Sequence, residues 1–291
     1  MYRGRFAPSP TGKLHMGSLV AAVASYLDAR AHHGEWLVRI EDIDPLREQP
    51  GATDAILESL ERHALYWDQP VLYQSKRSEH YEAGLSRLAA AEKLYWCPCS
   101  RKMLARHNGR HQYDCPTIFN AAHDTPAPAE SALKFNQATT DWTWQDAGCG
   151  TQKFHTTTIS DDFVVKRKEG YYAYQLAVVI DDIDQEITHI VRGQDLLDST
   201  PMQLSLYDTL STPPPFYHHT PLVCGQNGQK LSKQNKAPEL ENTKVRENLR
   251  YALEFLGLPV PETMQPCDPE TLLSWAATQW LNTLARNTRN R

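Results

Sequence analysis

An apolar stripe, a glycine and then an apolar run set the first constraint on this chain. Leu19, Val23, Tyr26 and Leu27 recur at helical spacing, and Gly34 can stop the helix they predict. Trp36-Leu37-Val38-Arg39-Ile40 follows as a strand and delivers Glu41, Asp42 and Asp44 at its carboxyl end. Helices are expected next around Thr53 to Arg62 and from about Ser78 to Ala91. Strand alternating with helix is the pattern of a parallel sheet with crossover connections. In such sheets ligands bind beyond the carboxyl ends of the strands. Glu41 and the segment leading into the first helix are therefore placed where a ligand would sit.

The pattern changes between residues 95 and 162. This stretch holds Cys97, Cys99 and Cys115, then a loop-rich segment with Pro126 and Pro128, and shows little periodicity. We read it as an insertion that interrupts the sheet domain. Residues 1–94 form the first half of that domain and 163–240 the second, with a helical segment over 241–291. Regular pattern returns at Phe163 to Lys168, with a turn at Glu169-Gly170. Tyr171 to Asp182 leads to a second sheet segment at Thr188 to Gly193, then a helix around Thr200 to Leu210 broken by Pro213-Pro214-Pro215. Further helices are expected from about Lys244 to Leu256, stopped by Gly257, and around Pro269 to Leu284.

At 291 residues the chain can bury a substantial core, as one large domain with an insertion or as two smaller ones. There is no apolar run long enough to span a bilayer and no cleavable signal, so a cytosolic protein with no membrane partner is expected. Six cysteines, three of them close together, fit reduced thiols or a metal better than a disulfide framework. The formal net charge of -5 argues against indiscriminate nucleic-acid binding. It leaves room for a local basic face, from Arg101, Lys102, Arg106 and Arg110 or from Arg286, Arg289 and Arg291. Either cluster also reads as an ordinary solvated surface.

Two short segments far apart carry the chemistry. The first is Arg5-Phe6-Ala7-Pro8-Ser9-Pro10-Thr11-Gly12-Lys13-Leu14-His15-Met16-Gly17-Ser18, and the second is Lys230-Leu231-Ser232-Lys233-Gln234. Gly12 and Gly17 remove side chains where a nucleotide must lie against a helix start, whose amides favour anions. His15 can donate to a phosphate oxygen. Lys230 and Lys233, on a loop with Gly225 and Gly228 just upstream, can swing over a triphosphate. Taken alone, His15 to Ser18 reads as a helix N-cap, and Lys-x-Ser-Lys recurs often by chance.

Together, and in this order, the two segments resemble the HIGH and KMSKS signatures of class I aminoacyl-tRNA synthetases. Arg39 to Asp44, Tyr174 through Asp182 and Ile190 to Gly193 extend the resemblance to the glutamyl-tRNA synthetase catalytic domain, over roughly the first 240 residues. Ser18 stands for the second His of HIGH, and Gln234 for the last Ser of KMSKS. The resemblance implies a Rossmann-like α/β fold and attack of a carboxylate on the α-phosphate of ATP, with Mg²⁺ accompanying the nucleotide. His15, Lys230 and Lys233 would be catalytic. His15, Gly17, Ser18, Lys230, Leu231, Ser232 and Lys233 would hold ATP. Arg5 and Arg192 would contact the carboxylates of L-glutamate and Glu41 its ammonium. Tyr174 would close the pocket and Ser9 hydrogen-bond the amino acid, with Phe6, Ala7 and Pro8 beside it. Guanidinium suits this task because its fork matches two carboxylate oxygens. Without the surrounding motifs, Glu41 and Arg192 would read as an ordinary ion pair.

The chain ends soon after Lys233, with room for a few helices and not for a full anticodon-reading module. In this it resembles the glutamyl-Q tRNA(Asp) synthetases, truncated paralogues that activate glutamate without tRNA. They esterify it to the cyclopentenediol of queuosine at the wobble position of tRNA(Asp). A monomer is expected. The same resemblance implies one structural Zn²⁺ per chain on Cys97, Cys99 and Cys115. The fourth ligand is His111 or Tyr113, with His111 preferred because imidazole is the commoner zinc ligand.

Overall fold

In the computed structural model the described residues are 1–99, 102–103, 118–119, 130–137, 140–155, 162–225, 231 and 238–289, with side chains through 285. Strand β1 (Arg3–Phe6) pairs in parallel with β2 (Glu35–Ile40), from Arg3 opposite Glu35 to Phe6 opposite Val38. A parallel pair needs a crossover, and helix α1 (Met16–Ala31) supplies it. β2 pairs in parallel with the short β3 (Leu72–Tyr73) after helix α2 (Ala52–Arg62). Helix α3 (Ser78–Ala90) follows. The expected βα alternation is thus present, with helix ends within a residue of the reading at Thr53–Arg62 and Ser78–Ala91.

α1 differs from expectation in how it is buried. Leu19, Val20, Ala22, Val23, Ala24, Leu27 and Ala29 are all buried, whereas Tyr26 is only partly so. Burial on nearly every face marks a helix enclosed between layers. The outer layer is α6 (Val245–Phe255) and α7 (Pro269–Arg289), which pack against α1 opposite the sheet. The helix stop also differs. His33, not Gly34, takes the left-handed conformation, with φ 52°. The amides of His33 and Gly34 then bond back to the carbonyls of Arg30 and Ala29, satisfying the last turn.

The stretch read as loop-rich contains strands. β4 (Leu94–Cys97) pairs antiparallel with β5 (Ile118–Phe119) and with β6 (Ala132–Phe135), and β6 pairs with β9 (Phe163–Lys166). Phe163–Lys166 therefore belongs to this antiparallel sheet, not to the parallel strands. β7 (Asp141–Asp146) and β8 (Gly150–His155) form a hairpin that joins a different sheet. There β10 (His189–Gly193) pairs in parallel with β11 (Phe216–Thr220), and Tyr217 of β11 lies opposite Asp146 of β7. The strand order is β10-β11-β7-β8. The amide of Thr188 donates to the carbonyl of Arg3 at 3.0 Å, joining β10 to the edge at β1.

Tyr171 to Asp182, read only as a lead-in, is mostly helix α4 (Tyr174–Asp184). α4 packs on α3 and on α5 (Thr200–Thr209) over a core that includes Tyr81, Leu85, Phe135, Val165 and Leu206. Among the described residues no helix is long and apolar enough to cross a membrane.

Candidate active site

The carboxyl ends of β1, β2, β10 and β11 open into one cleft of about 800 Å³. Phe6 to Ser9 continue from β1, Glu41 caps β2, Arg192 and Gly193 end β10, and Thr220 to Val223 follow β11; all line it. The placement is the one a parallel sheet predicts. Arg5, Phe6, Ala7, Pro8, Ser9, His15, Gly17, Ser18, Glu41, Tyr174, Arg192 and Leu231 all face this space. Lys230, Ser232 and Lys233 lie outside the described residues, as do His111, Tyr113 and Cys115.

One wall is the start of α1. His15 is its N-cap: Nδ1 accepts the backbone N–H of Ser18 at 3.1 Å. The N-cap reading and the donor reading are therefore compatible. An accepting Nδ1 leaves the ring proton on Nε2, which stands 3.2 Å from Ser18 Oγ, and both side chains line the cleft. Gly17 is set by close approach. A Cβ there would lie 3.1 Å from His15 Cε1 and 3.4 Å from the carbonyl of Leu231. Leu231 N–H donates to Val223 O at 2.8 Å, Leu240 N–H donates to Leu14 O at 2.8 Å, and His15 bridges Glu239.

Behind the cleft residues Arg5 and Glu41 lies a buried ion network. Arg5 gives Nε and Nη2 to the two oxygens of Asp182, at 3.1 and 3.3 Å. Arg39, fully buried, donates to Asp182 at 2.8 Å and to Gln185 Oε1 at 2.9 Å. Burial alone would raise the Asp182 carboxyl, but the Arg39 and Arg5 guanidinium groups reverse it and hold Asp182 below the usual range. Neighbouring Asp181 accepts from Gln74, Tyr81 and Arg77 at 2.6 to 2.9 Å.

Glu41 is the exception in this network. Its nearest cation, Arg39, stands 3.8 Å away, and Oε1 is buried without a hydrogen-bond partner. Burial outweighs the attraction of Arg39 and Arg5 and pushes its pKa up to about 7. Nor is Glu41 paired with Arg192, so the simple ion-pair reading fails. Arg192 donates Nε to His219 Nε2 at 2.9 Å and Nη1 to Gln203 at 2.8 Å. Nη2 donates to Thr200 at 3.0 Å and to the carbonyl of Leu196 at 3.3 Å. All four acceptors are uncharged. His219 in turn lies 2.5 Å from Asp146, and burial, with the charge of Arg192, holds its basicity below the ordinary histidine range. The cleft thus presents a buried carboxylate and a buried guanidinium, neither neutralised by the other. A zwitterion with a second carboxylate is the ligand class that would satisfy both.

Sequence reasoning named no role for Asp182, Gln203, His219 or Asp146. For Asp182 there was a signal, because Arg39 interrupts an apolar strand run and a buried Arg needs an acid. For Asp146 there was none: its partner is brought in from a strand 73 positions away in the sequence. Of the metal candidates, Cys97 is buried at the end of β4 and Cys99 is half-buried. Among the described residues no three His, Cys, Asp or Glu side chains group to hold a metal. Of the basic clusters, Lys102 is exposed; Arg101, Arg106 and Arg110 lie outside the described residues, as do Arg291 and the side chains of Arg286 and Arg289.

Comparison with known proteins adds independent findings. The family described as tRNA synthetases class I (E and Q), catalytic domain, matches residues 1–256. A protein of Idiomarina loihiensis named glutamyl-Q tRNA(Asp) synthetase is 46% identical over 96% of this chain and 97% of its own length. One of the same name from Vibrio cholerae is 41% identical over 96% of this chain and 90% of its own. Among solved structures, a glutamate tRNA ligase of Elizabethkingia meningosepticum in complex with its amino acid superposes with TM-score 0.69. It is 26% identical, over 80% of this chain and 52% of the ligase. The chain thus spans about half the length of that ligase.

Proposed function

We propose, for this chain that belongs to the glutamyl-Q tRNA(Asp) synthetase family within the class I (E and Q) tRNA synthetases, the following reaction. ATP and glutamate form glutamyl-adenylate without tRNA, and the glutamyl group then passes to the cyclopentenediol of queuosine at the wobble position of tRNA(Asp). The observation that carries the amino-acid half is the unpartnered Oε1 of buried Glu41 in the same cleft as the Arg192 cation. Glu41 would take the ammonium of glutamate. Arg192 would take one carboxylate, and Arg5, with Nε and Nη2 held by Asp182, would offer Nη1 to the other. Glutamine would leave guanidinium charge uncompensated, which such a site rejects.

In the first step a carboxylate oxygen of glutamate attacks the α-phosphorus of ATP. The new C–O–P linkage forms as the bond to the β-phosphate breaks, and pyrophosphate leaves with Mg²⁺. Charge builds on the phosphate oxygens, so preorganised donors lower the barrier. His15 and the backbone amides at the start of α1 would be such donors, and Lys230 and Lys233 would join them. No proton need be abstracted, since the attacking carboxylate is already ionised. In the second step a queuosine hydroxyl attacks the acyl carbon, the acyl C–O bond to the phosphate breaks, and AMP departs while the hydroxyl proton passes to its phosphate or to water.

A structural zinc completes the proposal. Thiols at Cys97 and Cys99, one buried and one half-buried at a strand end, fit half of a tetrahedral set. Cys115 with His111 or Tyr113 would be the rest. Such a closed site would fasten the inserted chain and take no part in the chemistry. We place the enzyme in the cytosol as a monomer.

The test is glutamate-dependent ATP–pyrophosphate exchange without tRNA, followed by transfer of labelled glutamate to tRNA(Asp) with and without queuosine. Exchange without tRNA, and label only on queuosine-containing tRNA, are expected. Equal labelling of tRNA lacking queuosine, or label on the terminal adenosine, would make the chain a small glutamyl-tRNA synthetase instead.

A further inference from the structure

Arg192 and His219 sit opposite each other on adjacent parallel strands, so their side chains share one face of the sheet. The guanidinium Nε always carries a hydrogen. It lies 2.9 Å from His219 Nε2, so that nitrogen must offer a lone pair. The imidazole proton is then on Nδ1, 2.5 Å from Asp146 Oδ2. The other oxygen of Asp146 accepts three backbone amides, from His219 and Gly148 at 3.0 Å and from Cys149 at 2.8 Å. Every proton in the chain of contacts is assigned, and the side chains of Asp146 and His219 are fully buried. Tyr217 completes the seat, with its ring 5.2 Å beneath the Arg192 guanidinium and parallel to the His219 ring.

We propose that Asp146 and His219 are positioning residues for the substrate-facing guanidinium of Arg192. Asp146 selects the imidazole tautomer, and His219 then accepts from Nε and fixes the plane of the fork. Of the five N–H groups of arginine, four are spent on His219, Gln203, Thr200 and Leu196. The remaining one, on Nη1, is aimed by the other four. Because these acceptors are neutral, the positive charge stays available to a ligand carboxylate, while Asp146 compensates it from behind the imidazole. The anchoring carboxylate comes from β7, so the inserted hairpin is a working part of the amino-acid pocket. Gly148 makes this possible: a Cβ there would lie 1.9 Å from the carbonyl oxygen of His219, so only glycine lets the hairpin turn close on β11. The inference rests on the reading in which Arg192 meets a glutamate carboxylate.

Asp146→Asn in the full chain tests it. The asparagine oxygen can still accept the three amides, while its NH₂ group faces His219 Nδ1 and drives the ring proton to Nε2, against Arg192. The KM for glutamate in pyrophosphate exchange should rise by up to about 100-fold, the scale of a misaimed binding group. The KM for ATP should stay near wild type, while the melting temperature falls because a fully buried contact is broken. His219→Asn keeps a donor to Asp146 but cannot reach Arg192, and should show the same split. Combining the two should add little, since they break one relay. Wild-type glutamate KM in both folded variants overturns the proposal. So does an equal rise in both KM values, which would mark a merely structural contact. Nitrogen NMR of His219 reads the tautomer without substrate, and an Nε2–H form in the wild type also overturns it. An Nδ1–H form in a wild-type protein that shows no glutamate-dependent exchange would instead refute the glutamate reading.

Discussion

At the scale of the residue, Glu41 shows how a binding group is bought with stability. It is the first residue beyond an apolar strand, and burial raises its pKa from 4.5 to about 7 despite two nearby guanidinium groups. The sign follows from proton linkage. Between these two values the unfolded chain has released a proton that the folded protein still holds. Stability therefore falls as pH rises through that window and stays low above it. Glu41→Gln removes the titration. The variant should melt above the wild type at about pH 8, match it near pH 4, and lose most glutamate binding at both. Melting curves that run parallel for the two proteins across this range would show that Glu41 is not a strained carboxylate. Ammonium binding should relieve the strain, so glutamate should raise the wild-type melting temperature more as pH increases through neutrality. The position of Glu41 was legible in the sequence, as the acid delivered by a strand end. Its lack of a partner was not, because that depends on where Arg39 and Arg192 turn.

At the scale of the element, α4 is the piece that organises the buried charges. Asp181 and Asp182 face β1 and β2 and gather Arg5, Arg39, Gln74, Arg77 and Tyr81. Asp182→Ala would strand two buried guanidinium groups and should cost about 3–5 kcal/mol by chemical denaturation. The depressed pKa of Asp182 adds stability above the ordinary carboxylate range, which is lost as pH falls through its folded value. A loss no larger than that of an exposed Asp→Ala control would rule out this keystone role. Such a helix is hard to read from sequence, since its buried run passes without a break from Leu176–Ile180 into Asp181 and Asp182, where periodicity looks for an apolar stripe. The inserted strands were missed for another reason. β6 and β7 find their partners in β4, β9 and β11, far along the chain, and long-range pairings of this kind leave no local pattern. The strands and helices of the first crossover were legible because each carries its own period. For the inserted sheet, Cys115→Ser should lose about one zinc per chain and lower its stability. The cleft motifs, on a different sheet, should keep ATP binding. Metal analysis finding no zinc in protein produced with ample zinc would count against the site.

At the scale of the whole molecule, the second half of the chain braces the helix whose start faces the cleft. Asp28 of α1 is buried and accepts Tyr2 O–H from the edge of β1 at 2.5 Å and Trp280 Nε1–H from α7 at 2.8 Å. One carboxylate thus ties strand, central helix and final helix together. Around it Leu249, Ala252, Leu253, Leu272, Leu273, Ala276 and Trp280 close over the outer face of α1 in the same core as Leu19 and Val23. The last two helices complete a core that would otherwise open α1 to water, and their contact lies away from the cleft. Loss of Trp280 should therefore be felt as stability and not as chemistry. Trp280→Phe leaves one oxygen of Asp28 unpaired and should cost about 1–3 kcal/mol. Trp280→Ala adds a cavity and should cost about 3–5 kcal/mol. Below their melting temperatures both variants should keep wild-type KM values for ATP and glutamate, because the N-terminal turn of α1 is held independently by the His15 cap. A fall in exchange rate with an unchanged denaturation midpoint would reverse this assignment and give the final helix a part in the reaction.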